Sequence, residues 1–183
     1  QRYPDVRVLQ ADARDLSRWA DQSFQLVVFS FNGIDAVNPE GRATILREAH
    51  RVLRKGGAFL FSAHNHDGPG HREKLSFGAN RTRNPFKYAG RLARALVHAP
   101  RAIHNHERLS KLNYDGDGFS ILNASAHDHG ILIHYVSLPN QLKQLEDTGF
   151  RPGALVFSNA DGRRLSPGDD TSGTWWFHFV VRK

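Results

Sequence analysis

Cysteine is absent from all 183 residues, which excludes disulfides and thiolate metal sites in this chain. Methionine is absent as well and the chain opens on Gln1, so the sequence is expected to begin inside a longer protein, with any targeting segment outside it. No apolar run reaches the roughly 18 residues of a transmembrane helix, and no charged-then-apolar leader is visible. The expectation is one globular domain with one large insertion, in a cytoplasmic setting.

Acidic residues are scarce in one stretch only. Between Arg72 and Lys111 stand ten basic residues, including Lys87, Arg91, Arg94, Arg101 and Arg108, against Glu73 and Glu107, a balance of +8. The whole chain carries +7, so the rest is close to neutral and the basic character belongs to this segment.

The alternating residues Val6 to Gln10 predict a strand, followed by a turn towards a helix at Ala11-Asp12-Ala13-Arg14-Asp15-Leu16. Phe24 to Phe31 is almost wholly apolar, which predicts a central strand buried on both faces of a parallel sheet. Asn38-Pro39-Glu40 then opens a helix with Ile45, Ala49, Val52 and Leu53 on one stripe, and Gly56-Gly57 are the expected left-handed stop before a strand from Ala58 to Ala63. From His66 to about His129 the composition turns to Gly, Asn, His and Arg, with one helix expected from Pro85 to about Val97; we read 66–130 as a basic insertion or cap. Ile131 to Val136 predicts a strand, Ser137-Leu138-Pro139 the start of a helix ending near Gly149, and two closing strands follow at Ala154–Ser158 and Trp175–Val181.

A strand FQLVVFSFNGID, a helix closed by RVLRKGG and a strand ending Phe61-Ser62-Ala63-His64-Asn65 together resemble the middle of a class I S-adenosylmethionine (AdoMet)-dependent methyltransferase. The resemblance covers Val6 to Asn65 well and Ala126 to Lys183 in part. It implies an α/β, Rossmann-like open and mostly parallel sheet with helices on both faces, truncated before its first strand. The glycine-rich loop that wraps the methionine end of the cofactor would then precede Gln1, and 1–183 would be a single partial methyltransferase domain. It also implies AdoMet as cofactor and a small-molecule methyl acceptor reached by in-line displacement.

In an open parallel sheet, ligands lie beyond the carboxyl ends of the strands. Asp12 and Ala13 match the family's Asp-Ala-x-x-Leu motif with Leu16; the carboxylate would accept from the adenine amino group and the next N–H would donate to the ring. The other reading of Asp12 is a helix cap. Phe31, Asn32 and Gly33 form the tip where the sulfonium would sit, with Gly33 permitting a tight bend and close backbone approach. This tip departs from the Asn/Asp-Pro-Pro-aromatic motif of methyltransferases acting on nucleic-acid bases. His64 is the candidate general base, against a pocket-lining or structural role, because alignment alone can accelerate methyl transfer. Asn65, His134 and Tyr135 are candidate substrate contacts, the last two also readable as strand packing.

Eleven histidines raise a metal, but none of their spacings is a recognised signature, and no metal is expected. The basic segment has three readings: a solvated cap over the active site, a collar for an anionic acceptor, or an anchor for nucleic acid or an acidic membrane. A non-catalytic polyanion-binding module on the same scaffold and a nicotinamide dehydrogenase are the alternatives to a methyltransferase.

Overall fold

The computed structural model describes residues 6–71 and 82–183. Arg72, Glu73, Lys74 and Arg81 of the basic segment lie outside the described residues. The elements run β1 (Phe24–Phe29), α1 (Pro39–Val52), β2 (Leu53–Asn65), α2 (Pro85–Leu109), β3 (Tyr114–Gly116), β4 (Phe119–Asn123), a helical turn α3 (Ala126–His129), β5 (Leu132–Val136), α4 (Leu138–Thr148), β6 (Leu155–Ser158), β7 (Arg164–Leu165) and β8 (Trp176–Arg182).

All eight strands join one sheet in the order β3-β4-β5-β2-β8-β6-β7, with β1 also beside β2. β8 is antiparallel to β2 from Ala58 to His64, so β1 and β5, both parallel to β2, follow one another along its opposite edge. Among the described residues only these two pairings are parallel; the other five are antiparallel. The expectation of a mostly parallel sheet is thus corrected to a mixed one. Hairpins build its β3-β4 end, and β8 returns between β2 and β6 instead of crossing over.

One face carries the core. Phe59, Phe61 and Ala63 of β2 and Phe177, Phe179 and Val181 of β8 meet Ile45, Leu46 and Ala49 of α1 and Leu138 and Leu145 of α4. The Phe59–Phe61 and Phe61–Phe179 rings stack at 4.7 and 4.8 Å. The alternate residues point the other way, and there Leu26 is 52% and Val28 58% exposed. β1 is therefore half-buried, not covered on both faces, because both helices that pack on the sheet's core, α1 and α4, take the same side.

Local chemistry explains most boundaries and corrects others. The Asn38 side chain accepts from the Gly41 N–H at 3.0 Å and Pro39 needs no partner at the first helical position, so α1 starts as expected. It ends without a glycine cap: Leu53 turns extended at once, and Gly56, at φ 76°, lies inside β2 near an irregular register with β1. Val6 to Gln10 is coil, with Val8 78% exposed, because no described strand lies beside it to complete its ladder. The following turn is strapped to α1 instead: Leu16 N–H donates to Glu48 at 2.8 Å, and Arg51 donates to the Leu16 and Trp19 carbonyls. α4 stops where Gly149 adopts φ 102°. The 66–130 segment is not all cap, since β4 pairs along β5 and buries Leu122.

Candidate active site

The tips of β1 and β2 meet at one polar corner. After β1 the chain turns sharply, and the left-handed conformations fall on Phe31 (φ 56°) and Asn32 (φ 53°), not on Gly33. Such backbone is uncommon outside glycine and costs about 1–3 kcal/mol per residue, so the surroundings must hold it. Part of that hold is the Asn32 N–H, which donates to Ser62 Oγ at 2.9 Å. Gly33 is needed for room: a Cβ there would lie 2.8 Å from the Phe29 ring. Beside the tip runs a groove of about 580 Å³ over the second face of the sheet, lined by Phe31, Asn32, Ser62, Asn159, Trp176 and His178 among others. That volume is in the range of small-molecule sites.

Two residues beyond the tip lies Asp35, fully buried, whose carboxylate organises the corner. It accepts from the His64 backbone N–H at 2.6 Å and from His64 Nδ1–H at 2.9 Å, while its other oxygen takes the Arg42 guanidinium. Arg42 is itself buried and also donates to the Gln141 side chain. A carboxylate only accepts, so the proton of a neutral His64 sits on Nδ1 and Nε2 keeps its lone pair. Nε2 lies 3.3 Å from Asn32 Nδ2, and the His64 side chain is 25% exposed. The result is an imidazole fixed in ring orientation and tautomer by a buried anion, with its basic nitrogen at the tip of β1. Sequence reading placed His64 but missed Asp35 and Arg42. The signal was available as charged residues at the strand tip and on the buried stripe of α1.

The remaining candidate residues divide. Tyr135 pairs with His64 in register, is 4% exposed and sets its ring 5.3 Å from the His64 ring, so it stands at the corner. His134, on the opposite side of β5, is 2% exposed and stacks on Phe119. Neither of its ring nitrogens has a partner among the described residues; burial, then the nearby Arg42 charge, pulls its pKa down to about 4. Asn65 is fully buried, and its amide is spent on the Thr171 and Thr174 carbonyls and the Asp67 N–H. In this structure it clamps the loop before β8. Asp12 is exposed and held by Arg14 through the backbone N–H at 2.9 Å and the guanidinium, hydrogen bonds that bring its pKa down to about 2. This is a local turn, while Ala13 packs against the core.

Proximity along the chain could not show a second cluster. One ligand atom each from His66, His71 and Asp115 lies within 4.8 Å of the others, a set able to hold a metal ion. The His66 ring donates through Nδ1 to Asp67 at 2.8 Å and stands 4.4 Å from the His71 ring, which in turn lies 5.8 Å from Tyr135.

The family described as Methyltransferase domain matches residues 1–57. A search of the curated proteins gives no match. Among solved structures, a SAM-dependent methyltransferase from Methanosarcina mazei is similar at a TM-score of 0.51 and 15% identity, over 94% of this chain and 65% of that one. A Thermotoga maritima SAM-dependent methyltransferase, described as a possible histamine N-methyltransferase, gives 0.52 and 15% over 100% and 67%. The CcbJ methyltransferase of Streptomyces caelestis gives 0.52 and 15% over 94% and 61%. The chain thus spans about two thirds of the length of these proteins. It has the fold of the class I S-adenosylmethionine-dependent methyltransferases, and its first 57 residues match the methyltransferase-domain family.

Proposed function

We propose that the protein transfers a methyl group from AdoMet to a small-molecule hydroxyl or amine, with His64 as the general base and Asp35 as the residue that positions it. The observation that carries this reading is the Asp35–His64 pair at the strand tips, beside the groove. Phe31, Asn32 and Gly33 would line the cofactor there. Asn32 Oδ1 is buried and has no partner among the described residues, an acceptor left over for a ligand donor, and the groove is large enough. When bound, AdoMet supplies an electrophilic methyl on a sulfonium. The chain's part is to hold an acceptor beside His64 and Tyr135, keep it in line, and take its proton on Nε2. With AdoMet held at the tip by Phe31, Asn32 and Gly33, the acceptor's heteroatom would take the methyl in exchange for its proton, which would end on His64 Nε2, the sulfonium being left as a neutral thioether.

Asp12 and Ala13 remain the proposed adenine contacts, which requires the Asp12 carboxylate to share its acceptor sites with Arg14. Residues 1–32 contain no glycine, so a glycine-rich cradle for the methionine end is not built by them.

His64→Gln in the full protein tests this. Turnover of small hydroxyl and amine acceptors from labelled AdoMet should fall by about 10²–10⁴, recovering as pH rises and the acceptor ionises unaided. AdoMet affinity measured by calorimetry should stay within a few-fold. Unchanged turnover would remove His64 from the chemistry.

A further inference from the structure

A helix on a globular surface normally buries its apolar stripe and wets its charges. α2 leaves its apolar residues and its cations both outside. The side turned to the protein is small and polar: Ala102 is buried, His98 Nδ1 and Asn105 Nδ2 bond Asp128, and His106 Nδ1 bonds Asn123. The large apolar residues are left outside, with Phe86 86%, Val97 77% and Leu96 61% exposed and Leu92 and Ile103 beside them also exposed.

The pattern along the helix is regular. Lys87, Arg91, Arg94, Arg101 and Arg108 recur at intervals of three, four or seven, one stripe of a helix, of which Arg101 also lies 3.9 Å from Asp128, while Ala89, Leu92, Leu96 and Ile103 form another. Among the residues of α2 only Glu107 is acidic. At 25 residues the helix is about 37 Å long, and no helix among the described residues, α2 included, is long and apolar enough to cross a membrane. A helix of this kind lies in the plane of a bilayer, its apolar side in the headgroup boundary and its cations on acidic lipid.

We infer that α2 docks the protein onto an anionic membrane surface, with Phe86, Leu92, Leu96, Val97 and Ile103 entering the interface and the arginine stripe meeting lipid phosphates. Two alternatives fit less well. Nucleic acid would use the cations but leave the apolar residues wet, and a second copy of α2 would bring like charges together.

The test is co-sedimentation of the full chain with vesicles of phosphatidylcholine alone and of phosphatidylcholine mixed with phosphatidylglycerol, across a salt series. Binding is expected to the mixed vesicles, weakening with salt, and by about fivefold for each cation removed in Arg91→Gln and Arg94→Gln. Phe86→Ser with Leu96→Ser and Val97→Ser should abolish it while leaving the thermal melt in place, since these side chains are exposed. The inference would be overturned by no vesicle binding; by binding that ignores the serine variant; by a dimer in light scattering that this variant splits; or by tighter, variant-insensitive binding to a DNA duplex. A serine variant that fails to fold would also overturn it, by showing that these residues cover the core. Phe86→Trp gives an independent reading, a blue shift in emission on mixed vesicles. None of these outcomes depends on methyl transfer.

Discussion

His134 shows how one buried side chain sets a response of the whole fold. Its ring is enclosed between Phe119 and the Arg42 side of the sheet, and burial holds its pKa near 4 where an exposed histidine titrates at 6.5. A base with a depressed folded pKa is protonated in the unfolded chain first. The unfolded state therefore binds more protons between these values, and stability falls as pH drops from about 6.5 towards 4. The loss approaches roughly 3 kcal/mol for this one group. Urea unfolding at pH 7 and pH 4.5 should show it, and His134→Phe, which keeps the stack, should flatten this part of the pH dependence. An equal slope in the variant would assign the acid sensitivity elsewhere. His64 differs from His134 in place, exposure and partner. It stands at the tip of β2, 25% exposed, with Asp35 receiving its Nδ1 proton, while His134 lies in the middle of β5, 2% exposed, with no such acceptor among the described residues.

Elements whose boundaries rest on local chemistry behave as their sequences indicate. α1 begins at Pro39 because the Asn38 side chain satisfies the Gly41 N–H, and Asn38→Ala should lower the melting stability by about 1 kcal/mol. A melt unchanged by this substitution would show that tertiary packing alone fixes the start of α1. For the same reason α4, with Ser137 ahead of it and left-handed Gly149 behind, was legible to within a residue or two. Elements that depend on distant partners were not. The apolar run of β1 reads as a strand buried on both sides, but its second face is covered by no described helix, so Val28 is exposed. Val6–Gln10 has the alternation of a strand and no neighbour to pair with. α2 extends twelve residues past its expected end at Val97, through Pro100, to Leu109. Part of its hold is the contact of His98 and Asn105 with Asp128, thirty and twenty-three residues away in sequence, which no local pattern reveals. The candidate site was readable in the same proportion: the strand tips placed His64, Asn32 and Tyr135, whereas the Asp35–Arg42–Gln141 network required α1 and α4 to be packed together.

At the scale of the molecule, the sheet has a finished side and an open one. α1 and α4 close the first over a phenylalanine stack, and the second presents a groove that runs up to the turn at Phe31 and Asn32. The polar corner at Asp35 and His64 adjoins the groove through Asn32 and Ser62, while no residue of α2 lines that groove, so the role proposed for the helix can fail independently of theirs. The groove and tip are proposed to form part of an AdoMet site. Calorimetric titration of the full protein with AdoMet, S-adenosylhomocysteine and NAD measures this directly. Saturable micromolar binding of AdoMet and its demethylated product is expected, weakened by Asn32→Ala, with no comparable affinity for NAD. Absence of AdoMet binding, or a preference for NAD, would contradict it.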